Sequence, residues 1–348
     1  MLKLKDNLFN ARRWRNQPKL KLWRYAGLML TYRCSAACRF CYYHCSPQAS
    51  GLMPVETAIQ SWEGLIRLAG DNAKVHITGG EPFLYFDRLA QILKHLSRLG
   101  LTPPDSIETN AGVWNSDSEL RDQLCFLDDC GVDRLKVSWD AFHEEFVEIE
   151  KVQRFIHIAR EMLGSHRVLV RWEKHLDRPT GIHQQGPDEK KTTLLAALDA
   201  DSCRFTGRAA EALAPLVAAH PASDFQGRHC QKALLGSKGV HIDPYGNVFN
   251  GQCSGMVIGN VNQMPLDVLW QTFEPDRADF WTVLYEKGPF GLLERALSDG
   301  FRPRDTYASK CHLCTDIRRF FFDKGNYSTI IGPHDCYGNN DSRTGGCP

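Results

Sequence analysis

The chain of 348 residues lacks several features that would assign it to a special class. No uncharged apolar stretch approaches 18 residues, which excludes a membrane span of ordinary length. No internal repeat is apparent. The net charge is only +1, and the 43% hydrophobic and 24% charged fractions are ordinary, so disorder, collagen and coiled coil are set aside. The length suffices for a sizeable core and about two domains.

Charge is distributed unevenly between the first 24 residues and the rest of the chain. Eight basic residues and one acid give this basic arm (residues 1–24) a charge of +7, which leaves −6 for the remainder. No apolar segment follows the pair Arg12-Arg13, so no export signal is predicted and a cytoplasmic location is expected. Such an arm can bind nucleic acid or an acidic partner, but we favour a solvated arm folded over the body. Nucleic acid is not expected as a partner, because no second basic patch is found.

Thirteen cysteines are the unusual part of the composition. Without a secretory signal they do not indicate a disulfide framework, and an odd number leaves at least one thiol unpaired by internal disulfides. In a reducing compartment, such cysteines more often bind metal or act in catalysis.

Short apolar runs alternate with helical periodicity as far as residue 175, which predicts a parallel sheet with helices on its outer face. Strands are predicted over residues 26–32, 74–78, 106–109, 134–138 and 167–172. Helices are predicted over residues 55–68, 86–99, 119–127 and 146–163. Five clear strands and a candidate sixth fall short of the eight in a full barrel. Further along, residues 177–191 are predicted as a loop, and residues 239–250 as a β-hairpin.

Cys34, Cys38 and Cys41 form a C-x3-C-x2-C motif directly after the first predicted strand. Cysteine thiolates hold iron–sulfur clusters, and a [4Fe–4S] cluster ordinarily takes four of them. Three cysteines leave one iron open, and an open metal position is typical of a site that does chemistry. Ligands of parallel α/β folds bind beyond the carboxyl ends of the strands, where this motif is predicted to lie.

This motif, with Phe40 in its aromatic position, resembles the signature of the radical S-adenosylmethionine (SAM) superfamily. The resemblance implies an α/β fold, with a partial (βα)6 TIM-like barrel over residues 25–215 that binds a [4Fe–4S] cluster and SAM. It implies an enzyme that cleaves SAM reductively to a 5′-deoxyadenosyl radical, which abstracts hydrogen from a substrate. A flavodoxin- or ferredoxin-type electron donor is implied as a partner.

Segments at the ends of the predicted strands are similar to the SAM-binding elements of this family. The resemblance assigns cofactor-binding roles to Phe40, Gly79, Gly80, Glu81, Pro82, Asn110, Ser138, Asp140 and Arg171. The Gly-Gly-Glu-Pro run is similar to the element that receives the methionine amino group. Arg171 is placed like the residue that pairs with the methionine carboxylate, which the guanidinium fork suits. As alternatives, Asn110, Ser138 and Asp140 would cap helices and Arg171 would be a surface charge.

Two further features of the first region stay open. The run Gly207-Arg208-Ala209 resembles a stretch found near the sixth strand of relatives. Cys45 is a candidate fourth ligand that would close the cluster and make the protein an electron carrier or sensor. The family pattern has no such ligand, so we favour a free or substrate-proximal thiol at this position.

A second group of cysteines surrounds the predicted hairpin. Metal-ligand roles are predicted for Cys230, Cys253, Cys311 and Cys314. Their arrangement resembles the SPASM or twitch auxiliary-cluster domains of radical SAM enzymes, which implies a small α+β iron–sulfur domain over residues 228–348. Four thiolates suffice for one [4Fe–4S] cluster, and a structural zinc site is the alternative. Cys336 and Cys347 receive no role.

The sequence therefore predicts a radical SAM oxidoreductase or maturase whose auxiliary [4Fe–4S] cluster aids oxidation or cross-linking of a peptide or small molecule. One alternative is a non-catalytic iron–sulfur or zinc protein for electron transfer or sensing. Another is a nucleic-acid-modifying SAM enzyme that uses the basic arm.

Overall fold

A computed structural model describes residues 20–201, 203–251, 253–275 and 279–338. Its strands are β1 (Tyr25–Met29), β2 (Lys74–Thr78), β3 (Ser106–Thr109), β4 (Leu135–Ser138), β5 (Val168–Arg171), β6 (Gly239–Ile242), β7 (Asn247–Asn250) and β8 (Val257–Asn260). Its helices are α1 (Val55–Ala69), α2 (Phe86–Arg98), α3 (Asp117–Asp129), α4 (Ala141–Glu144), α5 (Ile149–Leu163), α6 (Pro187–Ala200), α7 (Arg208–Ala212), α8 (Gln231–Gly236), α9 (Leu266–Thr272), α10 (Asp279–Glu286), α11 (Pro289–Ser298) and α12 (Lys310–Asp323).

All these strands belong to one sheet, in the order β5-β4-β3-β2-β1-β6-β7-β8. Strands β1 to β5 pair in parallel, and helices connect them. The fold is therefore the predicted α/β class with a partial TIM-like barrel. Residues 106–109 and 74–78 were predicted as strands with the bounds that the structure shows.

The sixth parallel strand does not follow β5 along the sheet. It is β6, the first strand of the predicted hairpin, which pairs in parallel with the other side of β1, with Tyr25 opposite Gly239. Strands β7 and β8 then continue the sheet in antiparallel fashion. The hairpin predicted for a separate C-terminal domain thus extends the barrel sheet. The proposed domain bounds at residues 215 and 228 stay a prediction.

Several predicted segments differ from the structure at their ends, and two of these differences have a clear physical reason. The predicted loop over residues 177–191 is wrong beyond residue 186, because α6 begins there. Gly186 is the N-cap, Pro187 occupies the first turn and Asp188 and Glu189 follow, which is a favourable helix start. The first strand ends at Met29 rather than residue 32, since Thr31 bridges to Leu52 instead.

The described end of the basic arm is packed against the body. Leu20 and Trp23 are fully buried, and the Trp270 indole N–H donates to the Lys21 carbonyl over 2.9 Å. Residues 1–19 of the arm lie outside the described residues. Within the part of the chain that the structure covers, none of the helices combines the length and apolar character needed to cross a bilayer.

Candidate functional site

A cavity opens at the carboxyl ends of β1 to β5, with about 740 Å³ of open space counting its mouth. The predicted site residues that line it are Cys34, Cys38, Phe40, Cys41, Gly79, Gly80, Asn110, Ser138 and Arg171. Glu81, Pro82 and Asp140 are buried beside it but do not line it. Residues from five strand ends thus meet at one place.

The three motif cysteines lie in a loop that leaves β1 and returns towards it. The Cys34 N–H donates to the Ser46 carbonyl over 3.0 Å, which closes the loop. Burial, with the charge of Glu81, raises the pKa of Cys34 to about 12, and burial also raises that of Cys38. Because metals deprotonate coordinating thiols, such buried thiols fit ligands that ionise on binding.

Cys45 lies beside Cys41 and lines the same cavity. A hydrogen bond from Cys45, together with the Arg208 charge, lowers the pKa of Cys41 to about 6 although burial acts in the opposite direction. The same hydrogen bond raises the pKa of Cys45. The sequence left Cys45 as either a free thiol or a fourth ligand. The structure places it close enough to the motif to keep both interpretations open.

The Gly-Gly-Glu-Pro run packs its backbone against the cysteine loop. The Gly80 N–H donates to the Thr31 carbonyl over 2.7 Å, and the Glu81 N–H donates to the Arg33 carbonyl over 2.9 Å. A Cβ at Gly80 would lie 1.9 Å from the Arg33 carbonyl oxygen. Only glycine permits this approach. The run therefore holds the start of the cysteine loop against the end of β2.

Substitution Gly80→Ala is expected to destabilise the fold by roughly 1–3 kcal/mol and to lower iron loading, because backbone atoms must move to admit the methyl group. Urea unfolding and iron analysis measure the two effects. Gly236→Ala is the matched control, since a Cβ there meets nothing within 4 Å in helix α8. Equal stability and iron content in the two variants would contradict the packing argument.

The Glu81 carboxylate faces the protein interior rather than the cavity and is fully buried. It accepts hydrogen bonds from the Asn110 N–H (2.8 Å), the Thr109 hydroxyl (3.0 Å) and the Phe83 N–H (3.3 Å). Burial raises its pKa to about 7, against the effect of these donors. Glu81 thus joins the end of β2 to the end of β3, and the backbone of Gly79 and Gly80 lines the cavity.

The other predicted cofactor residues divide between cavity and scaffold. Asn110 contacts the cysteine loop, with its amide 3.0 Å from the Ser35 hydroxyl and 3.5 Å from the Cys34 sulfur. Asp140 is the N-cap of α4 and also contacts the His143 ring over 2.8 Å. Burial alone would raise the pKa of Asp140, but His143 and the cap hydrogen bonds hold it below its ordinary value. Asp140 therefore caps α4, as the alternative predicted, and its SAM-binding role stays a prediction.

Arg171 lines the cavity and pairs with a carboxylate that the sequence prediction missed. Its guanidinium donates to Glu108 over 2.8 Å, and Thr78 donates to the other oxygen of Glu108 over 2.8 Å. Despite burial, His76 and Arg171 hold the pKa of Glu108 below its ordinary value. The sequence signal for Glu108 was a charged residue within the short, largely buried strand Ser-Ile-Glu-Thr.

Phe40 belongs to an aromatic wall of the cavity. Its ring lies 5.3 Å from Phe142, 5.1 Å from His143 and 6.3 Å from Trp172. Trp172 and His143 also line the cavity. The sequence motif identified only Phe40, because the other two rings reach the wall from β5 and α4.

The four C-terminal cysteines come together as a second thiol site. Cys311 and Cys314 lie in the first two turns of α12, Cys230 caps α8, and Cys253 follows β7. Burial and the neighbouring Cys314, Cys253 and Cys311 raise the pKa of Cys230 to about 12. Burial also raises the pKa of Cys311 to about 11 and raises that of Cys314, which fits thiols that ionise on binding a metal.

Four thiolates are also a standard structural zinc set, and among the residues that the structure describes no three His, Cys, Asp or Glu side chains are arranged around one point as ligands of a single ion would be. Zinc requires four ligands at about 2.0–2.3 Å from one centre. In a [4Fe–4S] cluster each cysteine binds a different iron, so its sulfurs stand apart. The donor sets of both thiol sites fit a cluster by their chemistry.

Cys336 is buried, with its sulfur 3.5 Å from the Tyr32 hydroxyl. The same hydroxyl donates to Asp243 over 3.0 Å in the turn of the hairpin. This arrangement is a structural contact of the hairpin. Cys347 lies outside the described residues.

Comparison with known proteins gives one family match and several similar structures. Residues 28–189 match the Radical SAM superfamily. BtrN in complex with AdoMet and 2-DOIA is similar with a TM-score of 0.46 and 16% identity, covering 77% of this chain and 89% of that chain. No curated protein sequence matches the chain.

A second protein, anSMEcpe, is similar in two solved forms. With bound AdoMet it gives a TM-score of 0.43 at 14% identity over 86% of this chain and 93% of its own. With AdoMet and a peptide the TM-score is 0.41 at 14% identity, over 86% and 97%. The family match covers the end of β1, strands β2 to β5, the cysteine motif and the residues that line the cavity. Residues 28–189 therefore form a domain of the Radical SAM superfamily, whose members are enzymes of SAM-dependent radical chemistry.

Proposed function

We propose that this chain is a radical SAM enzyme that abstracts hydrogen from a peptide or small molecule and holds an auxiliary [4Fe–4S] cluster at the second thiol site. The observation that carries the proposal is the shared cavity. Three motif thiols, the exposed backbone of Gly79 and Gly80, and the Arg171 guanidinium all line it. These groups suit a cluster and the amino and carboxylate groups of SAM.

In this proposal the residues of the cavity bind and orient the cluster and SAM and enclose them. Cys34, Cys38 and Cys41 hold three irons in this proposal, and Asn110 fixes the first of these thiols from β3. Arg171 uses one nitrogen on Glu108 and keeps further donors for a carboxylate. When bound, the cluster and SAM supply an organic radical that abstracts hydrogen, and the protein excludes competing reactions.

The auxiliary cluster is supported by the four gathered thiols, since Cys314, Cys253 and Cys311 lie near enough to Cys230 for their charges to raise its pKa. Oxidation or cross-linking of the substrate is the role proposed for it. A flavodoxin- or ferredoxin-type donor is proposed for reduction of the first cluster. Both candidate substrate classes, a peptide and a small molecule, are part of the proposal.

One observation favours a second candidate function, an electron carrier or sensor. Cys45 contacts Cys41 and lines the same cavity, where it could complete four ligands. In that case the first cluster would be closed and SAM would not be cleaved.

The test is anaerobic reconstitution followed by addition of SAM and dithionite. We expect 5′-deoxyadenosine in the products and about eight irons per chain, since two [4Fe–4S] clusters contain that number. Eight irons without 5′-deoxyadenosine, with candidate peptides and small molecules present, would favour the electron carrier. About four irons with 5′-deoxyadenosine would retain the enzyme and remove the auxiliary cluster.

Substitution Cys314→Ala is expected to lower the iron content by about four per chain, because one of four ligands at the second site is lost. Iron and sulfide analysis measures the change. Cys130→Ala, at the C-cap of α3, is the control and should keep all the iron. Unchanged iron with loss of bound zinc from the Cys314 variant would show that the site is a zinc site.

A further inference from the structure

Each thiol site has an arginine beside it that binds the backbone of the site's own cysteine ligands. Arg208, at the start of α7, donates to the carbonyls of Cys38 (2.9 Å), His44 (2.9 Å) and Cys45 (2.8 Å). Its own N–H donates to the Cys41 carbonyl over 2.9 Å. One residue therefore secures the cysteine loop from Cys38 to Cys45 at four carbonyls.

Arg318 repeats the arrangement at the second site. It lies two-thirds of the way along α12, and its guanidinium donates to the carbonyls of Cys314 (3.3 Å) and Ser254 (2.6 Å). Ser254 follows Cys253, so the same guanidinium joins two ligand-bearing segments that are 60 residues apart. Further hydrogen bonds go to the Thr315 and Tyr337 hydroxyls.

Neither guanidinium has a carboxylate partner among the described residues, whereas most other arginines form ion pairs with acids. Arg318 is only 2% exposed. A buried charge is costly unless an opposite charge compensates it. The thiols of Cys314 and Cys253 lie on the two segments that Arg318 joins, and they would supply negative charge when a cluster is bound.

We propose that Arg208 and Arg318 are positioning residues, each of which fixes the cysteine segments of one thiol site and compensates the negative charge of the cluster held there. The inference rests on the proposed function, because it requires a cluster at each site. Net charge and hydrogen bonding set the potential of iron–sulfur clusters. Since reduction adds a negative charge, loss of the neighbouring cation should make reduction harder.

The test is a redox titration, followed by electron paramagnetic resonance, of the reconstituted full chain and of Arg208→Gln and Arg318→Gln. Addition of SAM identifies the signal of the first cluster. We expect each glutamine variant to shift the reduction equilibrium of its own cluster about tenfold towards the oxidised form. This corresponds to a reduction potential lower by about 59 mV for one electron. The other cluster should keep its potential. Arg295→Gln, which breaks the exposed pair with Asp279, is the control and should change neither.

Lysine variants separate charge from folding. Arg208→Lys and Arg318→Lys keep the positive charge, so they should restore iron loading and most of the potential. If a glutamine variant fails to load iron, recovery by lysine supports the proposal and failure of lysine overturns the charge role. Fully loaded glutamine variants with unchanged potentials would also overturn it. If the wild-type chain holds no second cluster, the proposed auxiliary site is wrong, and the Arg208 variants still test the charge role at the first cluster.

Discussion

Cys38→Ala is expected to abolish 5′-deoxyadenosine formation and to remove the first cluster's irons. Cys38 is buried in the cysteine loop with Cys34 and Cys41 around it, and no other described thiol except Cys45 lines that cavity. Loss of a direct ligand should exceed the roughly 10- to 100-fold cost of losing an outer-shell partner. Product analysis after reconstitution with SAM and dithionite, together with iron content, measures both effects.

The matched variant is Cys45→Ala, at the thiol that contacts Cys41. If three ligands hold an open cluster, this variant keeps its irons and still forms 5′-deoxyadenosine. If Cys45 is the fourth ligand of a closed cluster, the variant loses iron as Cys38→Ala does. The pair of variants therefore decides between an enzyme and an electron carrier.

Glu81→Ala is expected to lower the free energy of unfolding by about 2–4 kcal/mol and to weaken SAM binding. The substitution leaves the buried N–H groups of Asn110 and Phe83 without their acceptor, and each unsatisfied group costs about 1–3 kcal/mol. It also releases the end of β3 from the Gly-Gly-Glu-Pro run. Denaturant unfolding of the apoprotein and SAM titration of the holoprotein measure the two losses.

The Glu81 carboxylate also makes the free energy of unfolding depend on pH, and its burial fixes the direction of this dependence. The folded-state pKa of Glu81 is about 7, above the ordinary 4.5, so the folded chain binds this proton more tightly than the unfolded chain. Its stabilising effect is present below pH 4.5 and is lost as the pH rises to 7. Glu81→Gln cannot titrate, so the stability advantage of the wild type over this variant should narrow from pH 4.5 to pH 8. A constant difference across this range would contradict the raised pKa.

Much of the first region could be predicted from local pattern. The alternation of apolar runs and helical periods predicted β1 to β5, and the structure shows them with ends shifted by at most a few residues. The spacing of Cys34, Cys38 and Cys41 predicted a loop of thiols, since residues three or four apart in a short loop must lie close together. Helix α6 was missed although Gly186 and Pro187 carried its start signal.

The roles of individual polar residues were harder to predict, because orientation is a tertiary property. Glu81 was predicted to bind the cofactor, and the structure shows its carboxylate buried with three donors from β3 and its own turn around it, which the sequence did not predict. Asp140 caps α4 and holds His143, as the local alternative predicted. Glu108 was missed because its partners Thr78 and Arg171 come from two other strands.

The sequence by itself determined the succession of β1 to β5 along the chain, the cysteine motif and the family to which residues 28–189 belong, because these depend on neighbours along the chain. Only the tertiary structure decided that β6 pairs with β1, more than 200 residues earlier, and so continues the barrel sheet. It also decided that Arg208 and Arg318 bind the cysteine segments, the first across 163 to 170 residues. Contacts of this kind depend on which surfaces become buried together, and no spacing along the chain encodes them.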